Sequence, residues 1–189
     1  MSKTSSLYLA SLEASAGSLI VSMGLMELLK SRYAKVAFFR PVIMHKEKND
    51  EDIDFMREHF RLTQSYEESL IYSVEEVEKL IAEDRLDVLI ETLISRYKSL
   101  EEHYDFILIQ GLPRSLFSKT LDFDINLFLA KNLNTPFIPV FNAKNQESSE
   151  LYDEIKIEEN APGYVRLSFA TGLDVLEDAL GRLSRALTP

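Results

Sequence analysis

The stretch LYLASLEASAGSLIVSMGL, from Leu7 to Leu25, decides how the rest of the chain is read. An apolar run is followed by a loop of small residues and then by an amphipathic segment. That order predicts a buried strand, a tight turn and a helix, the layout of a phosphate-binding P-loop. Such a loop wraps phosphate oxygens with backbone N–H groups, reaches the β/γ oxygens with a lysine and holds Mg²⁺ with a hydroxyl. Gly17 and the small residues Ser15, Ala16 and Ser18 leave room for close backbone approach, and an intact helix start favours an anion. The lysine position, however, is Ser18, the hydroxyl position is Leu19, and Glu13 adds a negative charge inside the loop. Either the loop binds an anion weakly, or it is a strand–turn–helix kept tight for packing.

Strand-like runs alternate with helix-like ones along the rest of the chain. LYLASL (Leu7–Leu12), VAFFRPVI (Val36–Ile43), FILIQG (Phe106–Gly111) and PFIPVFNA (Pro136–Ala143) read as strands buried on both faces, and YVRLSF (Tyr164–Phe169) as a weaker one. Helices are predicted at about Ser18–Arg32, Asp52–Phe60, Val74–Asp84, Leu86–His103, Asp124–Asn132 and Gly172–Leu187. Ser73 with Glu76 three residues on predicts a capping box. The fold class expected is α/β: a doubly wound, mostly parallel sheet flanked by helices, P-loop NTPase-like, in a single domain over residues 1–189. The last helix suits the end of a complete protein or a seam in a longer one. In such a fold the site lies beyond the carboxyl ends of the strands.

Those ends carry few chemical groups. Where an NTPase of this layout keeps a carboxylate for Mg²⁺, the third strand ends in Gln110, which supplies no charge. Arg40, at the end of the second, could bind an anion or form a salt bridge; Arg114 is a similar case. The polar stretch His45–Asp52 reads as a solvated loop, and His45, His59 and His103 share no metal-binding spacing. No nucleophile–base pair or paired carboxylates stand out, so neither catalytic nor metal-ligating residues are assigned.

Composition sets outer bounds. With 46% hydrophobic and 28% charged residues the chain is ordinary globular protein, long enough for one sizeable core. A formal net charge of -10 argues against nucleic acid and anionic membrane surfaces as partners. The absence of cysteine excludes disulfides and thiolate chemistry, and no run is long and apolar enough to span a bilayer, so a cytoplasmic location is expected.

Four segments together carry a resemblance: GLMELL (Gly24–Leu29), FFRPVI (Phe38–Ile43), YDFILIQG (Tyr104–Gly111) and the FDxN…AKNL…P element within Phe123–Asn142. In these the sequence resembles the dethiobiotin-synthetase-like N-terminal domain of long bacterial phosphate acetyltransferases. The departures from that family's pattern fall at Ser15, Ser18, Leu19 and Gln110. Dethiobiotin synthetase itself has a lysine where Arg40 stands, and the FRP form favours the acetyltransferase-associated branch. The resemblance implies a regulatory and oligomerising domain, a homo-oligomer, and a separate C-terminal transferase domain in the parent chain. Bound ATP, ADP or another anion would be weak, in a degenerate site of Glu13, Ser15, Ala16, Gly17, Ser18, Arg40 and Gln110. An ATP-dependent ligase of the dethiobiotin synthetase type and a stand-alone interaction module are the alternatives.

Overall fold

A computed structural model of the chain describes residues 4–11, 17–112 and 125–140. Among the described residues four parallel strands form the central sheet: β1 (Ser5–Ser11), β2 (Val36–Phe39), β5 (Phe106–Gln110) and β6 (Phe137–Val140), in the order β2-β5-β1-β6. A minor two-stranded sheet pairs β3 (Val42–Ile43) with β4 (Tyr72–Ser73), also in parallel. The helices are α1 (Ser18–Lys30), α2 (Glu51–Phe60), α3 (Val74–Ala82), α4 (Leu86–Glu101) and α5 (Ile125–Leu133).

Strand alternation sorts the core into two layers, because successive side chains point to opposite faces. Leu7, Leu9, Phe38, Phe106 and Leu108 pack with α1 and α2 through Leu25, Met26, Ile53 and Met56. Tyr8, Ala10, Phe39, Ile107 and Ile109 pack with α3, α4 and α5 through Val77, Leu89, Leu93 and Leu129. The strands are therefore apolar on both faces, and the expected doubly wound α/β architecture is what forms. Among the described residues no helix is long and apolar enough to cross a membrane.

The run Val36–Ile43 does not make one strand. Pro41 has no N–H to give to a ladder, and the chain leaves the central sheet after Phe39. Arg40 N–H donates to Ser69 O (2.7 Å), and Ile71 and Tyr72 N–H both donate to Pro41 O, which seeds the small β3–β4 sheet. The remaining helices start and stop within a few residues of expectation. Ser73 caps α3 with a complete capping box, its side chain accepting from Glu76 N–H and the Glu76 side chain accepting from Ser73 N–H. The Tyr164–Phe169 strand and the Gly172–Leu187 helix lie outside the described residues.

The FDxN element has a structural role. Asn126, buried on α5, accepts a hydrogen bond from Tyr8 OH (3.1 Å) and donates one to Leu112 O (2.9 Å), tying α5 to β1 and to the end of β5. A Cβ at Gly111 would collide with the Asn126 side chain and come within 2.9 Å of the Tyr8 ring. Gly111→Ala is therefore expected to destabilise by about 1–3 kcal/mol through overpacking, measured by urea unfolding; a neutral result would mean that α5 moves aside without loss.

Candidate functional site

The parallel register brings three strand ends to one edge. Leu9 pairs with Gln110 and Phe39 with Ile109, so Arg40 and Gln110 lie nearly level at the carboxyl edge of the sheet, with Ser11 two residues further along β1. α1 begins beside them. Gly17 occupies its N-cap with φ 74°, a left-handed conformation that glycine adopts freely, and no side chain caps the helix. Val21 N–H bonds Gly17 O, so the first turn is well formed. Leu19 is partly buried against the α1–α2 core layer, which accounts for an apolar residue where a metal-binding hydroxyl would stand. Glu13, Ser15, Ala16 and Arg114 lie outside the described residues.

Gln110 is fully buried, and its amide is committed at both ends. Its Oε1 accepts from Ser22 Oγ at 2.5 Å, and its Nε2 donates to Asp52 Oδ2 at 3.2 Å. Asp52 in turn receives Arg40 Nη1 at 2.6 Å, and the same nitrogen lies 2.7 Å from Asp50 Oδ1. A continuous polar chain thus runs from α1 through β5 and the start of α2 to the end of β2. Of the two fates open to Arg40 in the sequence, the salt bridge is the one formed, and it is close to fully buried on the arginine side.

Asp50 serves twice. It is the N-cap of α2, accepting from Ile53 N–H at 3.1 Å with Oδ1, the same oxygen that meets Arg40. Its backbone N–H donates to Tyr66 OH at 2.6 Å. Burial pushes the Tyr66 phenol above its ordinary value, against the lowering effect of that hydrogen bond, so the hydroxyl is neutral at physiological pH. Exposure holds for His45–Asn49, as expected of a solvated loop. Two of its acidic residues at the start of α2, Asp50 and Asp52, instead turn inward to Arg40, while Glu51 between them stays exposed. Sequence reasoning missed them, together with Ser22. The available signal was Asp50 as a cap residue before an acidic first turn, ten residues after a cation that needs a counter-ion once buried.

Two buried side-chain atoms among the described residues lack a hydrogen-bond partner, Ser11 Oγ and Arg40 Nε. Both sit at the carboxyl ends of strands, β1 and β2. A cavity of about 270 Å³ opens beside Arg40, bordered by the segment after β3 and the first turn of α2.

The described groups do not fit a Mg²⁺–triphosphate held for phosphoryl transfer. Position 18 has no ammonium, position 19 no hydroxyl and position 110 no charge, while the nearby Asp52 carboxylate already neutralises Arg40. What the edge offers is an open helix start at Gly17 and a buried, partly unsatisfied guanidinium.

The family model described as "AAA domain" (AAA_26) matches residues 5–156. Curated relatives include a phosphate acetyltransferase of Nitratidesulfovibrio vulgaris, 30% identical over 181 residues, which span 95% of this chain and 25% of the relative. Another, from Synechocystis sp., is 33% identical over 142 residues, covering 74% of this chain and 20% of the relative. The chain thus spans about a quarter or less of the length of those relatives. Among solved structures, a GTPase in apo form from Pyrococcus abyssi superposes with TM-score 0.56 at 16% identity, over 96% of this chain and 72% of that one. A plasmid partition protein from Borrelia burgdorferi bound to AMPPNP gives TM-score 0.52 at 15% identity, over 97% and 99%. At such identities these likenesses speak for the fold alone, which is that of P-loop NTPases.

Proposed function

This chain belongs to the AAA_26 family of AAA domains, and on that basis we propose that it is a regulatory and assembly domain of a phosphate-acetyltransferase-type protein. It does not hydrolyse nucleotide. Acetyl transfer between coenzyme A and phosphate resides, on this reading, in a transferase domain elsewhere in the parent chain. The domain's own work is to hold a homo-oligomer together and to sense an anion at the strand ends. The observation that carries the reading is Gln110: the residue where a metal-binding carboxylate is needed is a neutral amide, fully buried and hydrogen-bonded at both ends.

The test is a thermal-shift titration of the 189-residue chain with ATP and ADP, each with and without Mg²⁺. A ligand at about 100 times its Kd stabilises by about 2.7 kcal/mol. In a chain of this size that amounts to a rise in Tm of roughly 5–10 °C. The expected result is no Mg²⁺-dependent shift and no phosphate release. Any Mg²⁺-independent shift disappears in Gly17→Leu, where a Cβ meets none of the described atoms within 4 Å and the left-handed backbone is strained. A large shift requiring Mg²⁺, or steady ATP hydrolysis, would sink the regulatory reading in favour of the ligase. Sedimentation should show a homo-oligomer; a monomer at all concentrations counts against the assembly role.

A further inference from the structure

Residues 45–49, between β3 and α2, are all exposed, and among the described residues they take part in no backbone–backbone hydrogen bond. Side chains alone hold the segment. Lys48 reaches Glu51 at 3.2 Å and Asn49 donates to Asp54 at 3.0 Å, both on α2, the next element of the chain. Among the described residues its one polar contact outside α2 is made by Lys46, whose ammonium lies 2.7 Å from Glu76 Oε2 and 6.0 Å from the centre of the Tyr72 ring. Glu76 is a firm post, because the same oxygen accepts from Ser73 N–H at 2.8 Å in the capping box of α3. The tether itself is weak. Its side chains are 40% and 46% exposed, and ion pairs so wetted shift an equilibrium by only about two- to fivefold. A segment without backbone bonds and with one weak tether belongs to the low end of local stability, from which lids are drawn.

Its position gives it something to cover. His45, Lys48 and Asn49 line the cavity of about 270 Å³, which Arg40 and the first turn of α2 complete. We propose that residues 45–49 form a strap that opens and closes this cavity, latched shut by Lys46 on Glu76. Both ends of the strap are fixed. Ile43 pairs with Ser73 in the small sheet, and Asp50 is held by Tyr66 OH and by its cap bond to Ile53 N–H. With the latch made, Arg40 is 7% exposed. Release of Lys46 lets the wall swing outward and admits water to the Arg40 cluster, whose ion pairs to Asp50 and Asp52 do not involve the strap's own side chains. High salt favours the open form, because it screens the exposed Lys46–Glu76 pair far more than the largely buried pairs of Arg40. This inference goes beyond anion sensing at Gly17 and does not rest on it, since the strap opens with no ligand present.

The chain has no cysteine, so spin labels attach only where cysteines are introduced. A pair at Glu47→Cys on the strap and Ser95→Cys on α4, both exposed and neither used in the contacts above, reports the strap's position by double electron–electron resonance. The 189-residue chain is expected to show one dominant distance at low salt. A second population should grow about two- to fivefold relative to it in Lys46→Met, and again in unsubstituted Lys46 at about 1 M NaCl. Lys46→Arg keeps the charge and should restore the single distance. Reaction of Arg40 with phenylglyoxal, followed by peptide mass spectrometry in the same samples, should quicken by the same factor. A distance distribution that is the same with Lys46, with Lys46→Met and at high salt overturns the proposal. So does a second population with no change in the reactivity of Arg40, which would make the segment flexible without its being a cover.

Discussion

Arg40→Met is expected to lower stability by about 3 kcal/mol. Removing one partner of a buried ion pair costs about 3–5 kcal/mol, because the other charge stays behind without compensation. Two carboxylates are left behind here, Asp50 and Asp52, with side chains 12% and 28% exposed. Water reaches the second, which puts the effect at the low end of that range. Methionine fills most of the volume of the arginine stem, so a cavity adds little. The backbone bond from residue 40 to Ser69 O is untouched by the change. A loss of this size corresponds to a Tm lower by roughly 6–12 °C. The triple variant Arg40→Met, Asp50→Asn, Asp52→Asn should regain most of it, since asparagine still caps α2 and no charge is stranded. If Arg40→Met alone stays within about 1 kcal/mol of wild type, the two carboxylates are hydrated and the pair is electrostatically idle.

The central sheet was legible because each strand that ends at the site is apolar on both faces, a pattern that amphipathic helices do not share. Leu7–Ser11 and Phe106–Gln110 are recognisable in isolation, and so is the helix that starts after Gly17. The second strand was overextended because residue type alone does not say whether Pro41 sits at a sheet edge or ends a strand. The answer came from Ser69 and Ile71, some thirty residues on, which take over the backbone groups at Arg40 and Pro41. The site divides in the same way. Gly17, Ser18, Arg40 and Gln110 are candidates by position relative to strand ends, a local property. Asp50, Asp52 and Ser22 were missed because their roles depend on which segments return to the edge. Carboxylates two and four residues from an exposed lysine look like solvated surface until Arg40 is seen to be buried beneath them.

Gln64→Ala should cost about 3 kcal/mol, although Gln64 lies in a connection and touches no candidate ligand. The reason is the position of β2 at the edge of the sheet among the described residues, where one row of backbone N–H and C=O groups has no neighbouring strand. Gln64 supplies the missing neighbour with its side-chain amide. Its Oε1 accepts from Phe38 N–H at 2.5 Å, and its Nε2 donates to Phe38 O and to Ser69 Oγ, each at 2.8 Å. The residue is 1% exposed, so water does not share the work. Truncation leaves a buried donor and a buried acceptor on Phe38, each worth about 1–3 kcal/mol when unsatisfied. Ser69 also loses a side-chain contact, in the same segment that receives Arg40 N–H, so the Arg40 edge should loosen along with β2. Two measurements distinguish this from a general loss of packing. Urea unfolding gives the total, and amide hydrogen exchange should quicken at Phe38 and Arg40 before it quickens at Ile107 and Leu108 in β5. Unchanged protection at Phe38, with a loss below about 1 kcal/mol, would mean that water enters and replaces the amide, and that the edge of β2 does not depend on Gln64.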